Sequence, residues 1–308
     1  MADAPPSETG RRALVPLQQL PPLPPLPLAV VGHVEVVTFL RVPEIPTAGM
    51  ICRASEGMEL PAGGGAVVAV QMARLTGRPV AFFTSLGRDR AGEEAAGRLE
   101  AMGVQLHVAW RESPTRRGVS WVDDQGERTI TVLGERLMPC AADNLPWGLL
   151  EHTAGVFVTA TDAEGLQLAR SSRMLAATPR VRWPVLQESG VVLDALIRSD
   201  LDPAEAIPPE QPDPPTRLRI ATEAAAGSTA EPGGAFRAPV LQSPLVDAYG
   251  AGDSFAAGVS AALAAGWPLA EAISLGSHCG AACLQGFGPY AGQLDRRALQ
   301  GPSPTHQR

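Results

Sequence analysis

The chain has 308 residues, with 25 basic and 32 acidic side chains and a formal net charge of −7. All of the basic side chains are arginines, because the sequence contains no lysine. The absence of lysine excludes a P-loop with its phosphate-binding lysine, the lysine–glutamate pair of protein kinases, and a Schiff base to a carbonyl substrate. The acidic balance argues against nucleic-acid binding, since nucleic-acid-binding surfaces are basic.

The N-terminal region and the cysteines predict a cytoplasmic protein that does not bind a membrane. No apolar run reaches the ~18 residues of a membrane span, and prolines interrupt the apolar part of the N-terminus, so neither an anchor nor a signal peptide is expected. Four cysteines are too few for a disulfide scaffold. Cys279 and Cys283 lie beside His278 in an apolar stretch, where small buried residues are favoured over a metal site.

Residues 28–294 alternate between strand-like and helix-like segments, whereas the two ends do not. Residues 1–27 are rich in proline and predict a disordered or polyproline tail, and residues 295–308 predict a C-terminal tail. Predicted strands occupy residues 28–31, 34–39, 51–60, 80–85, 104–110, 119–122, 129–133, 155–159, 173–177, 191–197 and 218–222. Predicted helices occupy residues 65–75, 91–102, 251–265 and 269–284.

This alternation predicts an α/β fold, in which helices cover both faces of a mostly parallel sheet. Two regions do not fit the alternation, namely the strands at about 34–60 and the hairpin at about 117–133. We expect these regions to form a small accessory sheet that acts as a lid. Arg116 and Arg117 lie beside the predicted hairpin, and a solvated strand edge is favoured for them over a contact with an anionic substrate.

The segment at residues 247–258, Asp-Ala-Tyr-Gly-Ala-Gly-Asp-Ser-Phe-Ala-Ala-Gly, carries the strongest chemical signal. Gly250, Ala251 and Gly252 form a flexible turn at the start of a long apolar helix, where backbone N–H groups and the helix dipole favour an anion. Asp253 stands at the same helix start. Two interpretations of Asp253 stay open here: a base that takes a proton from a hydroxyl during phosphoryl transfer, or a helix cap.

A dinucleotide-binding fingerprint is a rival interpretation of this segment, because Gly250-x-Gly252 also opens a helix. That fingerprint requires a third glycine at the position of Phe255. It also belongs in an early βαβ unit, with an acidic residue about 20 positions later. The match is poor, so a nicotinamide-dependent oxidoreductase is disfavoured.

Three motifs together resemble those of the PfkB/ribokinase-like family of carbohydrate kinases. The segment at 247–258 resembles the family signature Asp-Thr-x-Gly-Ala-Gly-Asp-x-Phe. Residues 62–75 resemble the family's glycine region and following helix, and Gly87-Arg-Asp-Arg-Ala-Gly92 matches Gly-x-Asp-x-x-Gly. The motifs occur in the family's order, and the resemblance covers residues from about 28 to 294.

The resemblance implies a Rossmann-type three-layer sandwich with a small β-sheet lid over the site of a small-molecule substrate. The implied reaction is the ATP- and Mg²⁺-dependent phosphorylation of a hydroxyl on a sugar, a nucleoside or a related alcohol. Asp253 is then the catalytic base, and the backbone of Gly250, Ala251 and Gly252 is the anion hole. Asp247 is assigned to the substrate side, where it steadies this turn. The family also allows a monovalent cation, and many members form homodimers through their lid strands.

The resemblance further implies a nucleotide site. Residues 222–227, Thr-Glu-Ala-Ala-Ala-Gly, resemble the motif Thr-x-Gly-x-x-Gly, with Ala224 in place of its first glycine. Thr222, Glu223 and Gly227 are therefore assigned to the nucleotide.

Two more segments are assigned to the nucleotide side by the same resemblance. Ser199-Asp-Leu-Asp202 takes the place of the family's Asn-x-x-Glu, which helps to organise Mg²⁺ and phosphate. Ser199 is accordingly assigned to the nucleotide and Asp202 to Mg²⁺ through water. The helix at residues 276–284, which includes Cys279, is implied to line the adenine side.

The predicted acceptor site departs from the ribokinase pattern. Glu35 and Val37 stand where the family has an asparagine and an aspartate that hold sugar hydroxyls, and Val67 replaces a further asparagine. Gly64 replaces a lysine. A site built for a hydroxyl loses roughly 10⁴-fold in discrimination without that pairing, so ribose in the usual pose is not expected. The remaining candidates for substrate contact are Glu35, His33 and the backbone of Gly63, Gly64 and Gly65.

These departures leave a second function open. On the same fold, the protein would bind a nucleotide or another ligand in a regulatory role, with little or no kinase activity. The intact Gly-Ala-Gly-Asp turn argues against this alternative. At the level of residues, Val37 and Val67 are equally compatible with core packing, and Glu35 with a solvated strand position.

Overall fold

Two β-sheets organise the chain in the computed structural model, which describes residues 10–207 and 214–299. The strands are β1 (Leu28–Val31), β2 (Glu35–Arg41), β3 (Glu56–Ala62), β4 (Val80–Gly87), β5 (Val104–Arg111), β6 (Arg117–Val122), β7 (Arg128–Leu133), β8 (Gly155–Val158), β9 (Leu175–Ala177), β10 (Ala195–Ser199), β11 (Arg219–Thr222), β12 (Ser228–Glu231) and β13 (Gly234–Phe236). The α-helices are α1 (Gly64–Thr76), α2 (Arg90–Ala101), α3 (Ala163–Ala169), α4 (Trp183–Glu188), α5 (Ala251–Ala264) and α6 (Leu269–Cys283). Short 3-10 helices lie at Leu17–Gln19, Trp147–His152, Pro179–Val181, Pro203–Glu205 and Ala224–Ala226.

The larger sheet contains nine strands in the order β13-β12-β11-β10-β9-β8-β1-β4-β5, and its pairs are parallel except for those that involve β12 and β13. Leu28 and Val30 of β1 belong to the core that includes α1, α5 and α6, whereas Ala29 and Val31 belong to the core that includes α3 and α4. Alternate residues of a strand face opposite sides of a sheet, so helices cover both faces. The predicted α/β sandwich is confirmed.

The smaller sheet contains four strands in the order β3-β2-β6-β7, and all four fall within the regions predicted to form a lid. Strand β7 is an edge strand, and each of its six residues is exposed, including Ile130, Val132 and Leu133. An exposed apolar edge is a surface on which a second strand can pair. The homodimer through the lid strands stays a prediction.

Residues 10–27 pack against the domain. Leu20 and Leu23 are buried in the same core as α1 and α5, and the Val15 N–H donates to Ser274 Oγ at 2.9 Å. Of the two alternatives for the tail, disorder is wrong for residues 10–27, because the leucines between the prolines bury apolar surface without forming a strand or an α-helix. The polyproline alternative stays a prediction. Residues 1–9 lie outside the described residues.

The C-terminal boundary also differs from the prediction at residue 294. Leu299 is buried, and the Arg296 N–H donates to the carbonyl oxygen of Arg74 at 2.9 Å. Residues 295–299 thus belong to the domain, and residues 300–308 lie outside the described part. Strands β12 and β13 escaped prediction because they contain no apolar run. Within the described residues, no helix combines the length and the apolar character needed to cross a bilayer.

Candidate active site

The turn before α5 presents backbone amides to open space. Gly250 is the N-cap of α5 and has a φ of 81°, a left-handed conformation that favours glycine, and no side chain caps the helix. The N–H groups of the first turn therefore have no partner within the helix. A Cβ built on Gly252 would meet no heavy atom within 4 Å. The turn forms an open cradle, in which the backbone amides and the positive helix end favour an anion.

Asp247 holds this turn from the protein interior. It is completely buried, and its carboxylate accepts hydrogen bonds from the Tyr249 N–H at 2.8 Å and the Gly288 N–H at 2.9 Å. Burial raises the pKa of Asp247, and these two amides oppose the rise. Asp247 steadies the turn, but its assignment to substrate contact is wrong because its side chain is not accessible.

Asp253 lies in the first turn of α5 without capping it. The cap position belongs to Gly250, so the helix-cap interpretation of Asp253 is wrong. A Cβ built on Gly64 would lie 2.9 Å from Asp253 Oδ1, which puts the carboxylate against the glycine turn before α1. Burial raises the pKa of Asp253 to about 6, with a further rise from the charge of Glu205 and an opposing effect of Arg180. A carboxylate with this pKa suits general-base chemistry near neutral pH.

His33 and Glu35 face the same glycine turn from the side of the lid. The Gly63 N–H donates to the Tyr249 hydroxyl at 3.2 Å, and Gly63 has a φ of 86°. A Cβ built on Gly63 would lie 3.1 Å from the His33 ring and 3.3 Å from Glu35 Cγ. On its other side, His33 Nδ1 lies 3.4 Å from Thr159 Oγ1. The structure thus brings together the predicted residues His33, Glu35, Gly63, Gly64 and Asp253.

The protonation states of His33 and Glu35 follow from burial and from nearby arginines. Burial lowers the pKa of His33 to about 3, and the charges of Arg136 and Arg116 add to this lowering, so His33 is neutral at neutral pH. Burial raises the pKa of Glu35, while Arg116, whose Nη1 lies 3.3 Å from Glu35 Oε1, opposes the rise. His33 Nε2 and Glu35 Oε1 lie 3.7 Å apart and therefore form a polar contact rather than an ion pair.

Arg180 engages two of the three carboxylates that follow β10. Its guanidinium pairs with Asp202, and its Nε lies 2.8 Å from Glu205 Oε1. Asp202 Oδ1 also accepts from the Ala204 N–H at 2.9 Å, and Glu205 Oε2 accepts from the Ser199 N–H at 2.7 Å. Donors of the protein occupy both carboxylates, and the described residues contain no cluster of three His, Cys, Asp or Glu side chains suited to a metal ion. Direct coordination of Mg²⁺ by Asp202 does not fit this arrangement, and its contact with Mg²⁺ through water stays a prediction.

The loop after β11 holds two positions of the predicted nucleotide motif at positive φ. Ser199 and Thr222 pair at the ends of β10 and β11. Gly227 has a φ of 108°, and a Cβ there would lie 2.1 Å from the carbonyl oxygen of Phe236, so only glycine fits. Ala224 has a φ of 46°, in the left-handed region, at the position where the motif has a glycine. Ala224 thus adopts a conformation that favours glycine.

The N-terminal segment fixes this loop. Arg11 is buried and pairs with Glu223. The Arg12 N–H donates to the carbonyl oxygen of Ala235 at 2.8 Å, and the Arg237 N–H donates to that of Arg12 at 2.9 Å. The carboxylate of Glu223 is therefore engaged by the protein itself, on the side of the loop that faces the N-terminal segment.

Comparison with protein families identifies the class of protein. The model of the pfkB family of carbohydrate kinases matches residues 27–197 and 211–296. The chain belongs to this family. Members of this family are carbohydrate kinases, so phosphorylation of a small molecule is the activity that the family match supports.

Ribokinases are among the relatives of this pfkB-family chain. The structure of ribokinase from Thermotoga maritima matches with a TM-score of 0.71 and 20% identity, covering 89% of this chain and 98% of that one. Ribokinase from Cryptococcus neoformans var. grubii serotype A, solved in complex with ADP, matches with a TM-score of 0.69 and 22% identity, covering 89% and 99%. By sequence, ribokinase from Arabidopsis thaliana is 23% identical, covering 89% of this chain and 80% of that protein. At these identities the similarity shows a shared fold.

Three residues that the family resemblance assigned to ligands lie in the core. Val37 and Val67 have no exposed surface. Val67 supports the cradle, since a Cβ built on Gly250 would lie 3.1 Å from Val67 Cγ1. Cys279 is also fully buried, and its Sγ lies 3.0 Å from the Cβ position of Gly258, between α5 and α6. The assignments of Val37 and Val67 to the substrate and of Cys279 to the nucleotide are wrong, because these side chains fill the core.

Sequence reasoning missed most of the charged residues around this pfkB-family site. Arg136 follows β7, Arg180 and Arg182 follow β9, and Glu205 follows β10. None of them belongs to a motif. Arg180 and Arg182 carried one usable signal: they come directly after a buried strand, at the edge where the carboxyl ends of parallel strands gather and ligands bind.

Proposed function

We propose that this chain transfers the γ-phosphoryl group of ATP to a hydroxyl of a small molecule of the sugar type, with Asp253 as the general base. The observation that carries the proposal is the position of Asp253. Its carboxylate lies in the first turn of α5, beside amides that no side chain caps, and it has no capping role of its own. A carboxylate beside an anion cradle is unfavourable for anion binding alone, but it is useful when a proton must leave the attacking hydroxyl.

The proposed reaction involves the acceptor hydroxyl, the Asp253 carboxylate and ATP. The acceptor hydroxyl gives its proton to Asp253 as its oxygen forms a bond to the γ-phosphorus. The bond between the γ-phosphorus and the oxygen that bridges to the β-phosphate breaks, and ADP leaves with that electron pair. Because the pKa of Asp253 is about 6, the carboxylate is ionised and able to accept the proton at pH 7.

In this proposal the nucleotide is bound mainly by the protein backbone and less by protein side chains. The amides at Gly250–Gly252 suit the phosphoryl group that is transferred, because they are fixed before the reaction and face open space. The loop at residues 222–227 suits the rest of the nucleotide. Mg²⁺ commonly keeps several waters and is held by one or two carboxylates together with substrate phosphates. Since Arg180 engages Asp202 and Glu205, the proposal assigns no protein ligand to Mg²⁺.

The substitution Asp253→Asn tests this role of the carboxylate. We expect ATP binding to be retained and turnover to fall by about 10³-fold, since an amide cannot accept the proton. ATP binding is measured by calorimetry and turnover by the release of ADP. Undiminished turnover in a folded Asp253→Asn protein would remove Asp253 as the base.

A regulatory ligand-binding protein on the same fold is the second candidate. It is favoured by the burial of Val37 and Val67 and by the ion pairs that occupy Asp202 and Glu205. The release of ADP is measured with pooled sugars, sugar acids, sugar phosphates and nucleosides, each with MgATP. Stimulation by any one pool excludes the binding-only function, whereas ATP binding without stimulation by any pool favours it.

A further inference from the structure

Four arginines surround one pocket beside the acceptor side of the site. Arg116 and Arg136 come from the ends of lid strands, and Arg180 and Arg182 come from the segment after β9. The pocket has a volume of about 560 Å³, which lies in the range of small-molecule sites. The remaining lining residues are Pro179, Trp183, Ala204 and Ala206. Two parts of the fold that are far apart in sequence therefore converge on a single positively charged pocket.

The positive charge of this pocket exceeds the negative charge around it. Arg180 is paired with two carboxylates and Arg116 contacts Glu35, but neither Arg136 nor Arg182 forms an ion pair with any residue of 10–207 or 214–299. Burial lowers the pKa of Arg136, and the charges of Arg116, Arg182 and Arg180 lower it further. Like charges held this close repel each other, so the arrangement is unfavourable until an anion enters.

Two local features indicate that the pocket is kept for a ligand. Arg182 has a φ of 87°, a conformation that side-chain-bearing residues rarely adopt and that is concentrated at functional sites. The Nε of Arg116 is buried and has no hydrogen-bond partner in the described chain. Buried donors are normally satisfied, so the protein itself leaves the polar groups of Arg116 incompletely paired.

A chain of contacts links the pocket to Asp253. Arg116 contacts Glu35, Glu35 lies against Gly63, and the next residue, Gly64, lies against the Asp253 carboxylate. The charge of Arg180, which lines the pocket, also acts on Asp253, so the pocket and this carboxylate lie in one region of the fold.

We propose that the phosphate acceptor carries an anionic group, a carboxylate or a phosphate, which binds between Arg116, Arg136 and Arg182 while a hydroxyl of the same molecule faces Asp253. This inference rests on the proposed function, because it names the class of acceptor for that reaction. The planar guanidinium group of arginine can form paired hydrogen bonds with a carboxylate or with a phosphate, so the pocket suits either group.

Matched pairs of ligands test the charge preference without any turnover. The probes are ribose with ribose 5-phosphate, and glucose with glucuronate, titrated by calorimetry into the full chain without nucleotide. We expect at least one anionic member to bind ten or more times more tightly than its neutral parent, and the pair that does so distinguishes phosphate from carboxylate. Equal binding within both pairs, or no binding by any of the four probes, overturns the proposal.

Arg136→Gln and Arg117→Gln form a matched pair of variants. Arg117 lies next to Arg116 in sequence, but it is exposed and pairs with Glu59 at 2.9 Å, outside the pocket. We expect Arg136→Gln to weaken the preferred anionic probe about tenfold or more, and Arg117→Gln to change it less than twofold. If Arg136→Gln instead leaves this probe unchanged and weakens ATP, the arginines hold the nucleotide and the proposal is wrong.

Failure of this inference is separable from failure of the proposed function. In Asp253→Asn, we expect the anionic probe to keep its advantage over its neutral parent although turnover is lost. A charge preference that persists without any ADP release by the wild-type protein contradicts only the kinase proposal. Turnover of neutral acceptors combined with no charge preference contradicts only the anionic acceptor.

Discussion

The half of the site that we propose for the phosphoryl group and the half that we propose for the acceptor differ in composition. The first consists of backbone: Gly250 and Gly227 hold left-handed conformations, and the amides before α5 face open space. The second consists of charged side chains, where Glu35, Arg116 and Arg136 influence one another across the lid. In the proposed reaction, phosphoryl transfer thus depends on a short run of residues with fixed backbone geometry. The choice of acceptor depends on side chains that come from separate segments of the chain.

This difference predicts that the phosphoryl half responds to an added methyl group. Gly252→Ala places a Cβ in the open space of the cradle, where we expect the phosphoryl group to lie. We expect kcat/KM to fall about 100-fold, because a displacement of about 1 Å at the reacting centre can cost that much. The measurement is the steady-state release of ADP, with thermal unfolding to confirm that the variant is folded.

Gly97→Ala is the matched control for this substitution. Gly97 also lies in a helix, α2, and a Cβ there would likewise meet nothing within 4 Å. Alanine is the better helix former, so both variants are expected to unfold no more easily than the wild-type protein. Equal activities of the two variants would contradict the assignment of the cradle to the phosphoryl group.

The dependence of activity on pH tests the carboxylate at which the two halves meet. Because the pKa of Asp253 is about 6, protonation removes the base as the pH falls through 6. We expect kcat/KM to fall tenfold for each pH unit below about 6, whereas an ordinary aspartate would move this limb to about pH 4. The profile is measured between pH 4.5 and 8.

Glu35→Gln assigns that acidic limb to a residue. Burial raises the pKa of Glu35 as well, so Glu35 is a second carboxyl of the site that could contribute to this limb. His33 does not interfere, since its pKa of about 3 lies below the measured range. A limb that persists near pH 6 in Glu35→Gln does not arise from Glu35 and agrees with Asp253, and one that disappears belongs to Glu35.

The two halves also differ in how well the sequence predicts them: local motifs indicate the backbone features, but not which distant side chains meet. The parallel sheet, the lid strands, the turn at Gly250–Gly252 and the position of Asp253 were all visible, because each depends on local periodicity or on an unbroken motif. The convergence of Arg136 and Arg182 on one pocket was not predictable from the sequence, since tertiary folding alone brings them together. Val67 was misassigned because its motif position says nothing about whether the side chain faces the ligand or the core.

The N-terminal segment is expected to affect the nucleotide loop less strongly than these changes affect catalysis. Arg11→Gln leaves the largely buried carboxylate of Glu223 without its partner. We expect a loss of about 3 kcal/mol in unfolding free energy and a KM for ATP that rises several-fold, with kcat nearly unchanged. Denaturant unfolding and ADP release measure these effects.

Two further variants isolate the ion pair of Arg11. Arg12→Gln changes the next residue, which is exposed and lies 5.8 Å from the centre of the Phe236 ring, so its effect is expected to stay below about 1 kcal/mol. The double variant Arg11→Gln/Glu223→Gln removes both charges and is expected to regain most of the lost stability. No recovery in the double variant would mean that Arg11 acts through packing rather than through its charge.

The smallest expected effect is on the unfolding free energy, when glycine replaces either of two neighbouring alanines that differ in backbone conformation. Ala224 has a φ of 46°, whereas the neighbouring Ala225 is not among the described residues with a positive φ. Ala224→Gly is therefore expected to raise the unfolding free energy by about 1 kcal/mol, because glycine adopts the left-handed region without steric cost. Ala225→Gly is expected to lower it by about 0.5–1 kcal/mol, since there glycine only adds freedom to the unfolded chain. Chemical unfolding of both variants measures the change in unfolding free energy. Changes of the same sign would mean that the loop does not require a left-handed conformation at residue 224.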